Sequence, residues 1–586
     1  MMGKRLTRNQ KMLLGAAVVV LLAGVVLGVF GFKEKKRQVT PPPVQPLVQQ
    51  VTPKKKVTPK APPVKKDTVP MVTGTVRDTA GVPLPDVVVS DCYSCVKTDA
   101  NGVYRLPINK AARFIYYTVP AYCEVPTHSE TDHTALFYQP YSSKQKFYNF
   151  TLTRLPGGKE TDFHLLVFGD PQVTNSFNPY YTDASDNRVK KSDVMRFTDE
   201  TMADVKRTIA ALPVGTPVYG LSMGDDVQYY GGYNADLERQ LREAIGSSRA
   251  RVFSVIGNHD QDGKAAYKAK WEETWGPTDY SFDRGDVHFV CFNNVHFVKG
   301  SYYSPGELTA AQMAWLRSDL RLVSSEKKVI LCYHIPLTFG NSPMKGAVSL
   351  GLEAEPGHYR SSRLLQILQL TRRFRGGTEL YCGHTHFAIN HEISIGEKTV
   401  REHCHAAACG NIWQANINIC GTPNGYYVYL FRGTLLANSY YKGTFWSREK
   451  QMTLFQADRD FNGESYSADW SLAKEKRALV ANVFNADSRW KVVAIENGKE
   501  TEMRRISHTG QDAFAVGYFK KYIECAPVRF VSKQNGYLIM NHLYYYEPQN
   551  PDARITVKAY DPYGNVYEAS TTSVVTEPFH NYAHYY

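Results

Sequence analysis

Five short segments rich in Asp, Asn and His, each directly after an apolar run, constrain the fold of this chain most. In chain order they are FHLLVFGDPQ (Asp170, Gln172), VYGLSMGDD (Asp225), VFSVIGNHD (Asn258, His259), VILCYHIP (His334) and YCGHTH (His384, His386). Short apolar runs of this kind are typical of buried strands. Because ligands of α/β proteins gather beyond the carboxyl ends of strands, the segments predict oxygen and nitrogen donors for a pair of divalent metal ions.

Amphipathic segments between these runs predict helices over 192–212, 236–245, 309–323 and 361–374, with Thr309 as the N-cap of the third. Each chemical segment alone also has a simpler interpretation. A histidine after a strand is often a hydrogen-bonded structural residue, Gly-Asn-His-Asp is often a turn, and Gly-Asp-Asp is often a solvated loop. Their shared position at strand ends favours the metal site.

The same residues resemble a known family. Asp170-x-Gln172, Gly224-Asp225, Gly257-Asn258-His259-Asp260, His334 and Gly383-His384-Thr385-His386 resemble the motifs of the calcineurin-like metallophosphoesterases, over residues 160–445. The flanking β-rich regions look like those of a multidomain subgroup found in bacterial envelopes. The resemblance implies an α/β fold, a four-layer α/β sandwich flanked by two β-rich domains, and two divalent metal ions (Mn, Fe or Zn).

The resemblance also implies a role for each residue. Metal one would take Asp170, Gln172, Asp225 and His386, and metal two would take Asp225, Asn258, His334 and His384. The family usually has Asp-x-His where this chain has Asp170-Pro171-Gln172. Because a neutral amide is a poorer ligand than imidazole for transition metals, we expect metal one to bind more weakly or to be a harder ion.

The implied activity is hydrolysis of a phosphate mono- or diester. A hydroxide shared by the two metals would attack phosphorus, His259 would protonate the leaving alkoxide, and Asp260 would orient His259. The alternative is a weakly active or inactive envelope binding or scaffold protein built on a phosphoesterase core. Seven of the eight ligand and acid positions, all but Gln172, keep the expected residue, which favours the enzyme.

Candidate residues of a substrate pocket are Tyr229, His358, Arg360, His405 and Trp413. Tyr229 follows the second segment and either shapes the pocket or belongs to a loop. Arg360 either holds a phosphate or is a solvated loop arginine. His405 either packs within a strand or forms a pocket wall with Trp413.

The amino-terminal region carries almost all the net charge. Residues 1–70 contain 14 Lys and Arg but only Glu34 and Asp67, which is +12 of the formal +13. The folded part is therefore nearly neutral, so no nucleic-acid partner is predicted. After a short basic stretch (1–11), residues 12–32 are uncharged and as a helix would span about 31 Å, which predicts a transmembrane anchor. A cleaved signal peptide is the alternative.

Residues 33–70 form a Pro/Lys-rich linker, with nine Pro and six Lys in 38–70. Such a linker favours an extended, semi-rigid spacer. Basic residues flank the apolar segment on both sides, so charge gives no orientation. We expect a single-pass protein whose catalytic domain is periplasmic or otherwise extracytoplasmic; the alternative is a basic linker on the cytoplasmic side of the membrane.

Two further regions are rich in β-strand patterns. Residues 71–155 resemble a carboxypeptidase regulatory-like β-sandwich, and 446–586 predict a carboxyl-terminal β-rich domain whose aromatic residues form a core or a binding surface. Cys92 and Cys95 predict a disulfide or two free thiols rather than a zinc site, because no second pair exists. The sequence predicts neither the oligomeric state nor the substrate.

Overall fold

The computed structural model describes residues 70–177, 190–229, 232–298, 301–302, 306–338, 347–349, 363–395, 398–410, 412–456, 478–509, 512–513, 515–516 and 539–571. The predicted membrane anchor (12–32) and nearly all of the predicted linker (33–70) lie outside these residues, so both stay predictions. None of the helices in the described part is both long and apolar enough to cross a membrane.

The amino-terminal module is built of strands alone. Its strands are β1 (Met71–Asp78), β2 (Val88–Ser90), β3 (Cys95–Lys97), β4 (Val103–Pro107), β5 (Phe114–Tyr117), β6 (Tyr138–Pro140) and β7 (Phe150–Leu152). They form a three-stranded sheet in the order β4-β1-β7 and a four-stranded sheet in the order β3-β2-β5-β6. The alternating buried residues of β1 face a core that both sheets share.

Two larger sheets form the centre of the molecule. The first has the order β10-β9-β8-β20-β21, with β8 (Asp162–Phe168), β9 (Val218–Ser222), β10 (Arg251–Ser254), β20 (Gly425–Arg432) and β21 (Leu435–Gly443). The second has the order β11-β12-β15-β17-β19-β18-β16, with β11 (Tyr280–Arg284), β12 (Val287–Cys291), β15 (Lys328–Cys332), β16 (Ala347–Ser349), β17 (Thr378–Cys382), β18 (Ile389–Ile395) and β19 (Lys398–Cys404). A short hairpin joins β13 (Phe297–Val298) to β14 (Ser301–Tyr302). The strands β8, β9 and β10 are parallel, as are β12, β15, β17 and β19, so each group brings its carboxyl ends to one edge.

Helices cover the outer faces of both sheets. They are α1 (Asp193–Arg196), which continues through a π-helical turn (Phe197–Thr201) into α2 (Met202–Ala210), then α3 (Ala235–Gly246), α4 (Asn258–Gln261), α5 (Ala265–Trp275), α6 (Ala310–Leu322) and α7 (Leu364–Thr371). The alternation along β8 explains the layering: Phe163, Leu165 and Val167 pack toward the second sheet, whereas Leu166 and Phe168 pack against the helices. The result is the predicted helix–sheet–sheet–helix sandwich with β-rich regions on both sides.

The four predicted helices are present with bounds shifted by one to three residues. Thr309 is the N-cap of α6, as predicted: its hydroxyl accepts from the Gln312 amide, and the Gln312 side chain closes a capping box. The helix α5 has no such sequence pattern, because its buried residues Trp271, Glu272 and Trp275 do not form an apolar stripe along the whole segment.

The carboxyl-terminal region adds two four-stranded antiparallel sheets. One has the order β22-β23-β27-β26 and the other the order β25-β24-β28-β29. The strands are β22 (Met452–Gln456), β23 (Leu479–Val483), β24 (Lys491–Glu496), β25 (Lys499–Glu502), β26 (Arg504–Thr509), β27 (Ile539–Tyr546), β28 (Ile555–Tyr560) and β29 (Val566–Ser570). Buried aromatic residues such as Tyr544 and Tyr567 lie in a core between the two sheets. For these two residues, packing explains the aromatic character better than a binding surface.

A buried arginine fastens the amino-terminal module to the centre. Arg284, at the end of β11, is fully buried, and its Nη2 donates to the carbonyl oxygens of Pro120 at 2.6 Å and Cys123 at 2.9 Å. Its Nη1 donates to the Tyr219 hydroxyl at 3.0 Å and lies 3.6 Å from the Glu160 carboxylate. The module is therefore joined to both central sheets at one point.

Candidate metal centre

The candidate ligands lie directly after parallel strands of both sheets. Asp170, Asp225 and Asn258 follow β8, β9 and β10, whereas His334 and His384 follow β15 and β17. Because the two sheets pack face to face with these edges on the same side, side chains from distant parts of the chain converge there. Asp170, Asp225, Asn258 and His334 are almost completely buried.

Among the described residues, three groups of side chains have the spacing of metal sites, and two of them share one carboxylate. Ligand atoms of Asp170, Asp225 and His386 lie within 4.8 Å of one another, and so do those of Asp225, His334 and His384. Asp225 is therefore placed to bridge two ions, as the resemblance implied. The third group with such spacing, Cys382, Glu402 and Cys404, lies in the interior between β17 and β19.

Asn258 completes the second group through its side-chain oxygen. Oδ1 of Asn258 lies 3.0 Å from Nε2 of His334 and 2.9 Å from Nδ1 of His384. Nε2 of His334 also lies 3.1 Å from Oδ2 of Asp225. Four donor atoms thus surround one point, with two nitrogens and two oxygens.

The backbone is strained at five of the candidate ligands. The φ angles are +35° at Asp170, +40° at Gln172, +52° at Asp225, +70° at His384 and +59° at His386. Left-handed conformations cost non-glycine residues free energy of about 1 kcal/mol or more each and persist only where the surrounding structure imposes them. Their concentration here indicates that ligand geometry, and not local propensity, dictates these turns.

Glycines allow the loops to approach closely. A Cβ on Gly257 would lie 2.2 Å from both the amide nitrogen and Oδ1 of Asp225, and a Cβ on Gly383 would lie 2.7 Å from Oδ2 of Asp170. Gly224 has a φ of +90° and packs against the backbone of Gly257. These positions have no room for a side chain.

Asp260 organises the backbone of the site. Its Oδ2 accepts from the amides of Asp225 at 2.9 Å and Gly257 at 2.7 Å, and its Oδ1 accepts from the amides of Asp226 at 2.9 Å and Val227 at 3.2 Å. No hydrogen bond joins it to the His259 side chain within the described residues. Because four amide donors already occupy the carboxylate of Asp260, the structure adds no support for its expected role in orienting His259, and that role stays a prediction.

His259 lies at the edge of the cluster and is partly accessible to solvent. Its side chain is 35% exposed, and its Nε2 lies 4.0 Å from Oδ2 of Asp225. Its backbone amide donates to Oδ1 of Asp225 at 2.7 Å. The bridging carboxylate therefore fixes the start of α4, and the imidazole stands at the rim of the cluster.

Burial and mutual charge shift the ionisation of the cluster strongly. Burial, reinforced by His334, lowers the pKa of His384 well below its usual range, and burial lowers the pKa of His386 to about 4. Burial opposes the charge of His334, but the Asp225 and Asp170 carboxylates outweigh it and raise the pKa of His334 to about 9. Burial raises the pKa of Asp170 well above its usual range. A divalent cation requires a deprotonated carboxylate and a neutral imidazole, so metal binding at Asp170 and His334 would compete with protons on these groups.

An unsatisfied atom supports the fit to a metal. Gln172 is 2% exposed, and its Oε1 has no hydrogen-bond partner among the described residues. Leaving a buried carbonyl oxygen unpaired costs about 1–3 kcal/mol. Bound cations would satisfy this oxygen together with the clustered donors of Asp170, Asp225, Asn258 and the three histidines, so the residues present fit two divalent ions.

Three of the five predicted pocket residues are buried supports and not pocket walls. The Tyr229 hydroxyl donates to Glu238, and the His405 ring is hydrogen-bonded to the Cys382 carbonyl and the Tyr429 hydroxyl at 2.8 Å each. Trp413 Nε1 donates to the carbonyl oxygen of Pro171 at 2.9 Å, within the first chemical segment. Tyr229, His405 and Trp413 are 6%, 0% and 1% exposed, which favours packing over a role as pocket walls. The other two, His358 and Arg360, lie outside the described residues.

Two further residues support the site through their side chains. Glu402 accepts from the Tyr333 hydroxyl at 2.6 Å, from the Leu337 amide at 2.7 Å and from the amide and hydroxyl of Thr338. It thereby fixes the loop that follows His334. Gln228 accepts a hydrogen bond from Gln172. No sequence signal marked Glu402, whose partners lie more than 60 positions away.

None of the cysteines among the described residues takes part in the cluster. Cys92 and Cys95 are free thiols, which leaves the second of the two alternatives. Cys291, Cys332 and Cys382 are buried, as expected for core thiols in strands. Burial raises the pKa of Cys382 well above its usual range, so its thiol stays neutral.

Comparison with known proteins agrees with the site. Three family models match consecutive parts of the chain: "N terminal of Calcineurin-like phosphoesterase" over 70–155, "Calcineurin-like phosphoesterase" over 163–388 and "C terminal of Calcineurin-like phosphoesterase" over 402–567. Among solved structures, a purple acid phosphatase from yellow lupin (Lupinus luteus) seeds matches with a TM-score of 0.31 and 13% identity, over 61% of this chain and 66% of that chain. None of the curated proteins compared gave a match. The chain belongs to the calcineurin-like phosphoesterases, with both the amino- and the carboxyl-terminal regions of that family.

Proposed function

We propose that this protein is a metal-dependent phosphoesterase that hydrolyses a phosphate mono- or diester at a centre of two divalent ions. The observation that carries the proposal is the pair of ligand groups that share Asp225. Asp170, Gln172, Asp225 and His386 would hold one ion, and Asp225, Asn258, His334 and His384 would hold the other. Bound there, the two ions would supply a nucleophile from water and neutralise charge on the phosphoryl oxygens.

Three residues of the chain have separate roles in the proposed reaction. Asp225 keeps the two ligand groups together and fixes the amide of His259. His259 stands at the exposed rim, where a leaving alkoxide would depart, and its imidazole donates the proton that the alkoxide needs. Asp260 holds the loops of Asp225 and Asn258 in register through four amide hydrogen bonds.

The test uses the full-length protein purified in detergent, stripped of metal and reloaded with Mn²⁺, Zn²⁺ or Mg²⁺. Each form is assayed with a chromogenic phosphomonoester and a chromogenic phosphodiester in parallel. We expect hydrolysis of at least one ester to depend on metal, and Asp225→Ala and His384→Ala to lose both activity and bound metal. Full activity in either variant contradicts the proposal.

His259 allows a sharper comparison. We expect His259→Asn to keep its metal and to lose activity, most strongly with poor leaving groups, because an activated leaving group such as p-nitrophenolate needs little protonation. If His259→Asn loses the same factor of activity with good and poor leaving groups, His259 is not the general acid.

We further propose that the enzyme is tethered by residues 12–32 with its catalytic domain outside the cytoplasm. The uncharged 21-residue segment and the Pro/Lys-rich linker support this proposal. A reporter that is active only outside the cytoplasm, fused at the carboxyl terminus, should be active. Activity of a cytoplasm-only reporter at the same position would place the domain inside.

A further inference from the structure

In the side-chain amide of Gln172, the nitrogen has a hydrogen-bond partner among the described residues and the oxygen has none. Its Nε2 donates to Oε1 of Gln228 at 2.6 Å, whereas its own Oε1 is buried without a hydrogen-bond partner among the described residues. An amide whose nitrogen is committed to an acceptor leaves its oxygen for a different partner. At a position that the family resemblance assigns to metal one, a bound cation would be such a partner.

The backbone explains why Gln228 reaches Gln172. Three backbone hydrogen bonds join the loop after β8 to the loop after β9. The Gln172 amide donates to the Asp225 carbonyl at 2.7 Å, the Val173 amide to the Asp226 carbonyl at 3.1 Å, and the Gln228 amide to the Val173 carbonyl at 3.0 Å. This ladder fixes both glutamines at adjacent positions, and the strained φ of +40° at Gln172 is part of the same arrangement.

The two ligand groups then differ in chemistry. The group of Asp170, Gln172, Asp225 and His386 offers three oxygens and one nitrogen, if the amide presents its oxygen. The group of Asp225, Asn258, His334 and His384 offers two oxygens and two nitrogens. Oxygen-rich sites suit Mg²⁺ and Mn²⁺, whereas imidazole-rich sites suit Zn²⁺ and Fe.

We propose that Gln228 is a positioning residue that turns the carbonyl oxygen of Gln172 toward metal one, and that this pair gives metal one a preference for Mn²⁺ or Mg²⁺ over Zn²⁺. This inference rests on the proposed function. It assigns a role to a side chain that is not itself a ligand, and it explains why Gln172 can stand at a position where the family usually has His.

The test is metal binding by the full-length, metal-stripped protein, measured by calorimetric titration with Mn²⁺ or Zn²⁺ alone and by the Mn²⁺ electron paramagnetic resonance spectrum. Three variants of one position differ in hydrogen-bonding character: Gln228→Glu only accepts, Gln228→Lys only donates, and Gln228→Leu does neither. We expect wild-type protein and Gln228→Glu to bind two Mn²⁺ per chain. We expect Gln228→Leu and Gln228→Lys to bind one of the two at least tenfold more weakly, and to lose the spectrum of a coupled Mn²⁺ pair.

Gln172→His provides the complementary measurement. Because it replaces an oxygen by an imidazole nitrogen, we expect Zn²⁺ to compete with Mn²⁺ for one site several-fold better than in the wild type. Unchanged competition overturns the proposal. So does wild-type Mn²⁺ affinity in Gln228→Leu and Gln228→Lys, and so does an equal loss in all three Gln228 variants, since the hydrogen-bonding character would then be irrelevant.

Asp225→Ala separates failure of this inference from failure of the proposed function. If Asp225→Ala loses both metals while the Gln228 variants bind as the wild type does, only the inference about Gln228 fails. If Asp225→Ala also binds two metals with wild-type affinity, the proposed centre itself is wrong. Melting temperatures of the metal-free variants report whether a loss of binding comes from a loss of folding.

Discussion

Nδ1 of His334 donates a hydrogen bond to the carbonyl oxygen of Met223 at 2.9 Å. A carbonyl can only accept, so in the neutral form of His334 that a metal requires this bond fixes the proton on Nδ1 and leaves Nε2 facing Asp225 and Asn258. Met223 follows β9 in the first sheet, whereas His334 follows β15 in the second. One hydrogen bond thus sets the tautomer of a candidate ligand and joins the two sheets at the centre.

The first prediction concerns that histidine. His334→Gln should remove a nitrogen ligand and lower the affinity of one metal site by at least tenfold, while the other site keeps its ion. Metal analysis after dialysis should therefore give about one ion per chain where the wild type holds two. Retention of two ions would contradict the assignment of His334.

The second prediction concerns the close approach of two loops. Gly257→Ala should destabilise the metal-free protein by about 2 kcal/mol or more, because the new Cβ would overlap the amide and carboxylate of Asp225. It should also abolish metal binding. Gly157→Ala is the matched control: a Cβ at that position meets nothing within 4 Å, so its effect should stay within about 0.5 kcal/mol. Urea unfolding of both variants compares them.

The third prediction separates two roles of Asp260. In Asp260→Asn, a side-chain NH₂ would face two backbone amide donors, which leaves them unsatisfied at about 1–3 kcal/mol each. We expect loss of bound metal together with lower stability. If Asp260 only oriented His259, the variant would keep both ions and lose activity alone, and metal analysis distinguishes the two outcomes.

The fourth prediction concerns Arg284. Arg284→Met should destabilise the protein by about 3–5 kcal/mol, since it leaves the Glu160 carboxylate and two carbonyl oxygens without their buried partner. Arg375→Met is the control, because Arg375 and its partner Glu326 are 76% and 62% exposed and such pairs contribute about 0–1 kcal/mol. Denaturant midpoints report both. If the denaturant midpoint shifts by a similar amount in the two variants, Arg284 does not have the special role of joining the amino-terminal module to the central sheets.

The fifth prediction concerns pH. His288 is buried between Asp283 at 2.8 Å and Asp319 at 2.9 Å, and although burial opposes its charge, the carboxylates raise the pKa of His288 to about 9. The unfolded chain has a pKa near 6.5. The stabilisation is therefore fully present below pH 6.5 and is lost as pH rises through about 9; its size is about 3 kcal/mol.

Paired unfolding measurements check the pH prediction. His288→Gln should be destabilising at pH 6 and much less so at pH 10, so the difference from the wild type should shrink as pH rises. A difference that does not change with pH would mean that His288 is neutral in the folded protein. The variant lies away from the metal centre, so metal content should be unchanged.

Local sequence patterns predicted the candidate ligands of the site but not the surroundings of other residues. Apolar runs followed by Asp, Asn or His predicted which residues leave the carboxyl ends of strands, because strand burial and turn chemistry are local properties. The same reasoning placed Trp413, His405 and Tyr229 in a substrate pocket, and the structure buries all three. The side chains that surround them come from segments far away in the sequence, and no local pattern reports that.

The sequence by itself determined the strand-and-helix alternation, the cluster of candidate ligands and the family to which they belong, because each of these is written in short segments. Only the tertiary structure decided that Asp260 binds four amides, that Gln228 holds Gln172 and that Arg284 joins the amino-terminal module to both central sheets. These relationships depend on how two sheets and two loops pack against each other. Packing at a distance of many residues is set by the whole fold and not by any one segment.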